Sequence, residues 1–427
     1  MLLVYTEKIT ERLQYICHFI LKEQFGVDFT ITQKIEDCHS SNRLIINYSN
    51  KTFTQPNCKI KPHSLLFEES IKELTIDCFE GNSYLAFFQT RDSDFAFDIF
   101  AAAFFLLSRY EEYLPHTKDV YGRYAHENSV AFKHNFLHIP LVNIWLKDFA
   151  NYLKKMDATI PFHEPNYKTI ITYDVDMAWS FQHKGFIRNL GGFFKKPSWE
   201  RLQVLARIQK DPFDSFEWIH SQPEKTKSEK IFFYLVAIAR SKYDKNVSPL
   251  TKAMKQLIKK ESRLNPIGIH PSWNSYNNEK SLREEKNILE QTLEKQVIHS
   301  RQHYIKFDLP NTFQQLIDIG IQNDFSMGYG SINGFRASAA SSFFWYDLKN
   351  EKTTSLRLYP FCFMDANCHY EQQLNTQQAF EELTHYVNLC KENNGLFIPI
   401  FHNNFLGTSQ EFIGWRELYL KFLKEIA

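Results

Sequence analysis

Residues Ile171-Thr172-Tyr173-Asp174-Val175-Asp176 carry an apolar, β-branched run directly into two carboxylates. The run predicts a buried strand, in which an unpaired carboxylate would cost several kcal/mol. In α/β folds such acids stand at the carboxyl ends of strands, where the functional site opens. Because side chains two residues apart on a strand point the same way, Asp174 and Asp176 suit a general base beside a metal ligand. A solvated strand end, or an N-cap for the next helix, is the alternative interpretation.

Apolar runs and helical patterns alternate along the chain after this stretch. Further strands are predicted at Lys230 to Val236, Pro266 to His270, Gln296 to Ser300 and Leu396 to Phe401. Helical spacing lies between them, as in Leu282 to Lys295 and Thr312 to Ile319. Single strands that alternate with helices predict an α/β fold with a parallel sheet or barrel.

The N-terminal part has its own alternation of short strands and helices. Strands are predicted at Leu2 to Tyr5, Phe29 to Thr32 and Leu44 to Tyr48, and helices at Glu11 to Phe25 and Pro140 to Met156. The segment Pro161-Phe162-His163-Glu164-Pro165 predicts a linker, because its two prolines resist helix formation. The predicted domains are therefore a smaller α/β domain at residues 1–160 and a larger one at residues 165–427.

Composition limits the classes of partner. The chain has 50 Lys and Arg against 49 Asp and Glu, so as a whole it offers no net field toward nucleic acid or an anionic membrane. Its seven cysteines lack paired short spacings, which argues against a disulfide framework and a structural zinc knot. The longest apolar run, Ile99 to Leu107, is far shorter than the roughly 20 residues that span a bilayer and predicts a core helix. The apolar run at the N-terminus ends at Tyr5, so we expect no secretory signal and a cytoplasmic location.

Two polar stretches follow predicted strands. His270 comes directly after one of them, and neutral imidazole suits zinc, nickel or cobalt. Asn274 would face the same site if the turn between them is helical. In Ser300-Arg301-Gln302-His303-Tyr304, the arginine fork would pair with a carboxylate and lower its pKa. A histidine that caps a loop and a surface salt bridge are the simpler alternatives.

Two later stretches combine polar and aromatic residues. Asp324-Phe325-Ser326-Met327-Gly328-Tyr329 leads to Gly334-Phe335-Arg336, and this pattern predicts an irregular loop that lines a cleft. The last predicted strand ends on His402, whose ordinary pKa near neutrality suits proton donation to a leaving group. An ordinary turn-rich connection and a histidine that bonds a neighbouring loop are the alternatives.

The order of these stretches resembles the polysaccharide deacetylase (NodB-homology) family over about residues 165–420. The shared order is an acid pair after a strand, strand-His, Arg-x-x-Tyr, Asp-aromatic with a glycine-rich loop, and a late strand-His. The resemblance implies an irregular (β/α) barrel with its site at the carboxyl ends of the strands. It also implies a divalent metal and removal of N- or O-acetyl groups from a carbohydrate. The full chain is similar to a subgroup that has an N-terminal domain of unknown function.

The resemblance assigns roles residue by residue. Asp174 would be the general base, with Arg301 orienting it, and His402 the general acid. Asp176 and His270 would hold the metal, for which zinc is the first expectation and cobalt or nickel are alternatives.

One position departs from the family pattern. The second histidine of the family's His-x-x-x-His metal motif falls at Asn274, which is a poor zinc ligand. Asn274 is still the predicted third ligand, and weakened binding, recruitment of His303 or loss of the metal remain open.

The expected function is metal-dependent deacetylation of a glycan or glycan precursor. The predicted substrate contacts are Tyr304, Trp273, Asp324, Tyr329 and Arg336. Because of Asn274, a catalytically inactive protein that binds a carbohydrate or a partner protein is the alternative. We expect no nucleic acid partner and no membrane span, and nothing in the sequence indicates an oligomeric state.

Overall fold

The computed structural model describes residues 1–39, 41, 43–81, 84–163, 165–195, 197–223 and 228–426. Glu164 of the predicted linker lies outside the described residues. The side chains of Phe193 and Lys195 are likewise outside the description.

The N-terminal part builds a parallel sheet of four strands. These strands are β1 (Leu2–Thr6), β2 (Phe29–Thr32), β3 (Ile45–Tyr48) and β4 (Asn57–Lys59), in the order β2-β1-β3-β4. An antiparallel hairpin follows, formed by β5 (Phe79–Gly81) and β6 (Tyr84–Ala86). The helices are α1 (Glu11–Cys17), α2 (Ile35–His39), α3 (Ile99–Leu107), α4 (Val130–Lys133) and α5 (Leu141–Met156). The predicted helix from Glu11 is thus present, although its second half, His18–Gln24, is π-helical.

Helix α3 is the core helix that its sequence predicted. All nine of its residues are buried, which suits a helix that is apolar on every side. Asp98 caps its first turn by accepting the Ala101 N–H at 3.0 Å. The same carboxylate accepts the Tyr48 hydroxyl at 2.6 Å and the His63 N–H at 2.7 Å, so this buried acid is fully hydrogen-bonded.

The second part of the chain builds a larger sheet. Its strands are β7 (Lys168–Val175), β8 (Glu229–Leu235), β9 (Ile267–His270), β10 (His299–Ser300), β11 (Asn323–Asp324), β12 (Phe343–Asp347), β13 (Lys352–Leu358), β14 (Phe363–Met364), β15 (Leu396–Phe397) and β16 (Pro399–His402). Their order is β12-β13-β11-β10-β9-β8-β7-β16-β14, with β15 also paired to β7. Among the described residues of this sheet, β12 and β13 form the one antiparallel pair. The α/β class with parallel strands is therefore confirmed. Among the described residues no sheet closes, so the expected barrel is not shown.

Helices connect these strands. They are α6 (Phe186–Lys195), α7 (Trp199–Leu205), α8 (Phe216–Ser221), α9 (Lys252–Glu261), α10 (Glu279–Leu293), α11 (Asn311–Asp318), α12 (Thr376–Glu392) and α13 (Trp415–Glu425). Where the structure describes the chain, none of the helices has the length and apolar character needed to cross a membrane.

Buried ion pairs join the N-terminal part to the larger sheet. Arg336 forms a two-pronged pair with Glu112, at 2.8 and 2.6 Å, and Arg109 contacts the same acid at 2.7 Å. Arg12 pairs with Glu351 in the same way, and one continuous hydrophobic core includes residues of both parts. Breaking a buried pair of this kind leaves an uncompensated charge, which makes these contacts sensitive points of the fold.

Candidate functional site

The carboxyl ends of neighbouring parallel strands gather the polar residues of the site. The register of β7 and β16 places Asp174 beside His402, and Asp176 follows directly after β7. His270 is the last residue of β9, and Asp365 comes immediately after β14. Strand pairing therefore brings together acids and histidines that lie up to 228 residues apart in the chain.

Asp176, His270 and His303 form a group that could hold a metal ion. Their candidate ligand atoms all lie within 4.8 Å of one another. Nε2 of His270 is 3.3 Å from Oδ1 of Asp176, and Nε2 of His303 is 3.6 Å from Oδ2. Both histidines are buried, whereas the Asp176 side chain is 29% exposed and leaves a route from solvent.

The hydrogen bonds of the two imidazoles fit a metal. Nδ1 of His270 lies 2.5 Å from the Arg301 carbonyl, which can only accept, so Nδ1 carries the proton. Nδ1 of His303 lies 3.0 Å from the Asp244 carboxylate, and the same reasoning applies. When neutral, both rings thus present Nε2 lone pairs to Asp176, whose buried Oδ1 has no hydrogen-bond partner. Lone pairs that face a carboxylate require a cation between them, and nitrogen and carboxylate donors suit zinc.

In the metal-free protein a proton bound to His303 supplies the positive charge that faces Asp176. Burial lowers the pKa of His303, but the carboxylates of Asp176 and Asp244 together raise it more, to about 9. Burial raises the pKa of Asp176, but His303, His270 and His402 together overcome this and hold it well below its usual range. Metal binding at these groups must therefore release a proton.

Asp174 and Arg301 form a buried ion pair beside this group. The guanidinium Nη1 donates to Oδ1 of Asp174 at 2.8 Å, and both side chains are buried. Nε of Arg301 donates to the Phe325 carbonyl at 3.0 Å. The guanidinium carbon of Arg301, Cζ, lies 4.5 Å from the Phe233 ring centre. The arginine is thus fixed on several sides and holds Oδ1 of Asp174, while Oδ2 of Asp174 lies 3.8 Å from Nε2 of His270.

His402 is held by an acid that the sequence analysis did not identify. Nδ1 of His402 lies 2.6 Å from Oδ1 of Asp365, and its backbone N–H donates to Oδ2 of the same residue. Burial lowers the pKa of His402, but the carboxylate of Asp365, together with those of Asp176 and Asp174, raises it by a larger amount, to about 10. The ring is therefore protonated at neutral pH and turns Nε2–H toward the site, 3.8 Å from Oδ2 of Asp176.

We expect Asp365→Asn to lower the pKa of His402, measured by NMR titration of its imidazole in the presence of a chelator. The folded pKa of about 10 exceeds the unfolded value near 6.5, so the pair stabilises the fold fully below that unfolded value. This stabilisation is lost as the pH rises through about 10. Urea unfolding at pH 7 and pH 10.5 should therefore show a smaller pH-dependent loss in Asp365→Asn than in the unmutated protein. Equal losses in the two proteins would contradict the assignment.

Asn274 lies apart from the metal group. Its side chain is exposed, and its amide donates to the Ala239 carbonyl at 3.2 Å. The turn after His270 is a short 3₁₀ helix, Trp273–Ser275, rather than the α-helical turn that would bring Asn274 to the site. The geometry therefore gives no support to Asn274 as a metal ligand. It places His303 beside Asp176 and His270 as the third residue that could bind the metal.

Trp273 and Tyr304 form an aromatic rim beside His303. Trp273 stacks on Tyr243 with ring centres 3.8 Å apart, and Lys306 places its ammonium 3.7 Å from the Trp273 ring centre. Tyr304 lies next to Trp273 and His303, at ring-centre distances of 5.7 and 4.6 Å. These two predicted substrate contacts are therefore placed beside the site.

The other three predicted substrate contacts are engaged elsewhere. Asp324 is buried and accepts from Ser300 and Ser326, and burial raises its pKa to about 6. Tyr329 and Arg336 are buried at the junction with the N-terminal part, where Arg336 is committed to Glu112. Their geometry gives no support to a substrate role.

Sequence reasoning missed Asp244 and Asp365. Asp365 follows the apolar residues Phe363 and Met364, which is the same strand-then-acid signal that identified Asp174. Asp244 lies in the loop after β8 and carries no comparable local signal.

Comparison with known proteins gives matches to one family model and to solved structures. Residues 2–158 match a family model described as a family of unknown function (DUF7033), and no curated protein matches the chain. Among solved structures, a Mycobacterium smegmatis protein assigned as a polysaccharide deacetylase is 13% identical, with 61% of this chain and 84% of that chain covered and a TM-score of 0.37. A Pseudomonas aeruginosa PAO1 protein assigned to the same class is 10% identical, with 61% and 83% covered and a TM-score of 0.37.

A third solved structure is a mutant of BA3943, described as a CE4 family pseudoenzyme with restored enzymatic activity. It is 11% identical, with 66% of this chain and 80% of that chain covered and a TM-score of 0.27. Because all three TM-scores are below 0.5, the chemistry of the site is inferred from its own geometry.

Proposed function

We propose that the protein is a metal-dependent hydrolase that removes an acetyl group from a carbohydrate. One observation carries the proposal: the group of Asp176, His270 and His303 is flanked by a carboxylate and by a protonated histidine. Hydrolysis of an amide or ester needs a base for water and an acid for the leaving group, and these two groups supply them.

The protein's own residues divide the work of the reaction. Asp176, His270 and His303 would hold a divalent metal, which when bound polarises the acyl carbonyl and acidifies the attacking water. Asp174 takes the proton of the water at Oδ2, while Arg301 holds Oδ1 and fixes the direction of the carboxylate. His402 donates the Nε2 proton to the departing amine or alkoxide. The Asp365 carboxylate remains hydrogen-bonded to Nδ1 of the same ring.

The aromatic rim supports a sugar as the carrier of the acetyl group. Tyr304 is partly exposed and lies beside His303, so a pyranose ring could stack on it while its acetyl substituent enters the site. Tyr243 and Lys306 cover the two faces of Trp273, which therefore offers a sugar only its edge. Zinc is the proposed metal, because the donors are two imidazole nitrogens and one carboxylate.

The test is zinc-dependent release of acetate from a panel of N- and O-acetylated sugars. We expect turnover by the zinc-loaded protein, loss of turnover after chelation, and recovery when zinc is restored. Asp176→Ala should remain at the background rate, whereas the matched change Asn274→Ala should leave turnover close to that of the unmutated protein. Stoichiometric zinc without turnover of any acetylated sugar would favour the alternative, a carbohydrate-binding protein.

A further inference from the structure

Residues 186–208, here called the docking segment, present an unusual number of apolar side chains to solvent. Among the described residues, 17 large apolar side chains are exposed, and eight of them lie in this segment. These eight are Phe186, Ile187, Leu190, Phe194, Trp199, Leu202, Leu205 and Ile208. Soluble proteins rarely expose contiguous apolar area of this kind unless it contacts a partner or a membrane.

Four described apolar side chains of α6 share one face. Phe186, Leu190 and Phe194 follow one another at intervals of four residues, and Ile187 lies next to them. At about 100° per residue these four side chains fall within an arc of about 100°. They are 79%, 43%, 76% and 86% exposed in the order Phe186, Leu190, Phe194 and Ile187. A helix with such a stripe normally buries it, but here the stripe faces solvent.

Hydrogen bonds hold the segment in this orientation. Arg201 of α7 donates to the Asn189 carbonyl of α6 at 3.0 Å, which ties the two helices together. Arg188 donates to two backbone carbonyls of the loop after β8, at 3.1 and 2.6 Å. The Asp211 carboxylate accepts the backbone N–H groups of Ser180, Phe181 and Gln182 at 2.7 to 2.9 Å, which closes the base of the segment. The exposed stripe is therefore part of an ordered, anchored element.

Positive charge is concentrated around the same side chains. The docking segment itself contains five Lys and Arg and a single acid, Glu200, whereas the whole chain has a net charge of only +1. The near-neutral total of the whole chain thus conceals a basic segment. Two copies of so basic a surface would repel each other, which disfavours self-association through it.

We propose that the docking segment binds the surface of a bilayer that contains anionic lipids. Its apolar side chains would enter the boundary between headgroups and acyl chains, and its Lys and Arg would contact the anionic headgroups. Trp199, at 73% exposed, suits this boundary because indole combines an apolar ring with a polar N–H. The segment begins ten residues after Asp176, at the sheet edge that carries the candidate site. The proposal does not depend on the reaction proposed for that site.

Sedimentation with vesicles tests the proposal on the full chain. We expect the protein to bind vesicles of phosphatidylcholine with 30% phosphatidylglycerol at least about tenfold more strongly than vesicles of phosphatidylcholine alone. Phe186→Ser with Ile187→Ser should weaken binding to the anionic vesicles by about tenfold or more. The matched control replaces two exposed apolar residues elsewhere, Val120→Ser with Ile413→Ser, and should bind as the unmutated protein does. Circular dichroism verifies that both variants remain folded.

A spectroscopic signal locates the contact independently of those variants. Binding to anionic vesicles should shift tryptophan fluorescence to shorter wavelength, and Trp199→Phe should remove most of that shift. Absence of binding to anionic vesicles would overturn the proposal, as would equal losses in the two double variants. Light scattering that shows a dimer abolished by Phe186→Ser with Ile187→Ser, in a protein that ignores vesicles, would assign the segment to a second copy instead.

Discussion

Replacing His303 by alanine is expected to weaken zinc binding by more than about 100-fold. Changes at residues that only hydrogen-bond to a zinc ligand already cost about 10- to 100-fold in affinity, and His303 is one of the three residues that would hold the metal, with Asp176 and His270. Asn274→Ala is the matched comparison, because the family spacing indicates Asn274 as the metal ligand whereas the structure indicates His303. Asn274 is exposed and bonded to Ala239, so its removal should change the affinity by no more than about twofold.

Competition with a chromophoric chelator measures both affinities in the same buffer. Urea unfolding of each metal-free variant serves as the control for misfolding, since His303 is buried and also contacts Asp244. His303→Gln adds a second control, because it retains a polar side chain of similar length without the imidazole ligand. If Asn274→Ala abolished binding and His303→Ala did not, the site would follow the family spacing and the proposed ligand set would be wrong.

The strand-level signals were readable from the sequence because they are local. The β-branched run before Asp174 predicted a buried strand, and β7 spans Lys168–Val175. The acids at its end, the histidine that ends β9 and the histidine that ends β16 all lie at the edge where the site was expected. Parallel strands align their carboxyl ends, so local patterns are sufficient to predict that such residues converge.

The ligand set was not readable, because it depends on one loop conformation. The family spacing assumes that the turn after His270 continues in α-helical steps. In this chain Ser272 donates to Glu285 through both its N–H and its hydroxyl, and the Trp273 N–H donates to Asp244. These bonds set a 3₁₀ turn that directs Asn274 outward. Their partners lie 13 and 29 residues away, beyond the reach of a spacing argument.

The role of Arg336 was also not predictable from local sequence, and here the partner lies still farther away in the chain. Its position after a glycine-rich loop suggested a cleft, but the acid that binds it, Glu112, lies 224 residues earlier in the other part of the chain. A charged residue in a loop can bind either a substrate or an oppositely charged residue in a distant part of the fold. Only the tertiary structure distinguishes these two roles.

Asp174→Asn is expected to lower kcat for acetate release by about 10³-fold, because it removes the proposed base while preserving the shape of the side chain. The change should also lower the free energy of unfolding by about 3–5 kcal/mol, because Arg301 then remains buried without its counterion. These two losses need to be separated, since a destabilised protein also turns over less substrate. The measurements are steady-state kinetics with saturating zinc, together with urea unfolding of the same preparation.

The double variant Asp174→Asn with Arg301→Met separates the two losses. The guanidinium of Arg301 lies among the rings of Phe233, Phe325 and Phe361, at 4.5, 5.9 and 5.9 Å, so a methionine side chain suits the space. Replacing both members of a buried ion pair by groups without charge should recover most of the stability. If Asp174 is the base, turnover stays low in the stable double variant, and zinc affinity stays near that of the unmutated protein. Recovery of turnover together with stability would show instead that the Asp174–Arg301 pair supports the fold and that another group accepts the proton.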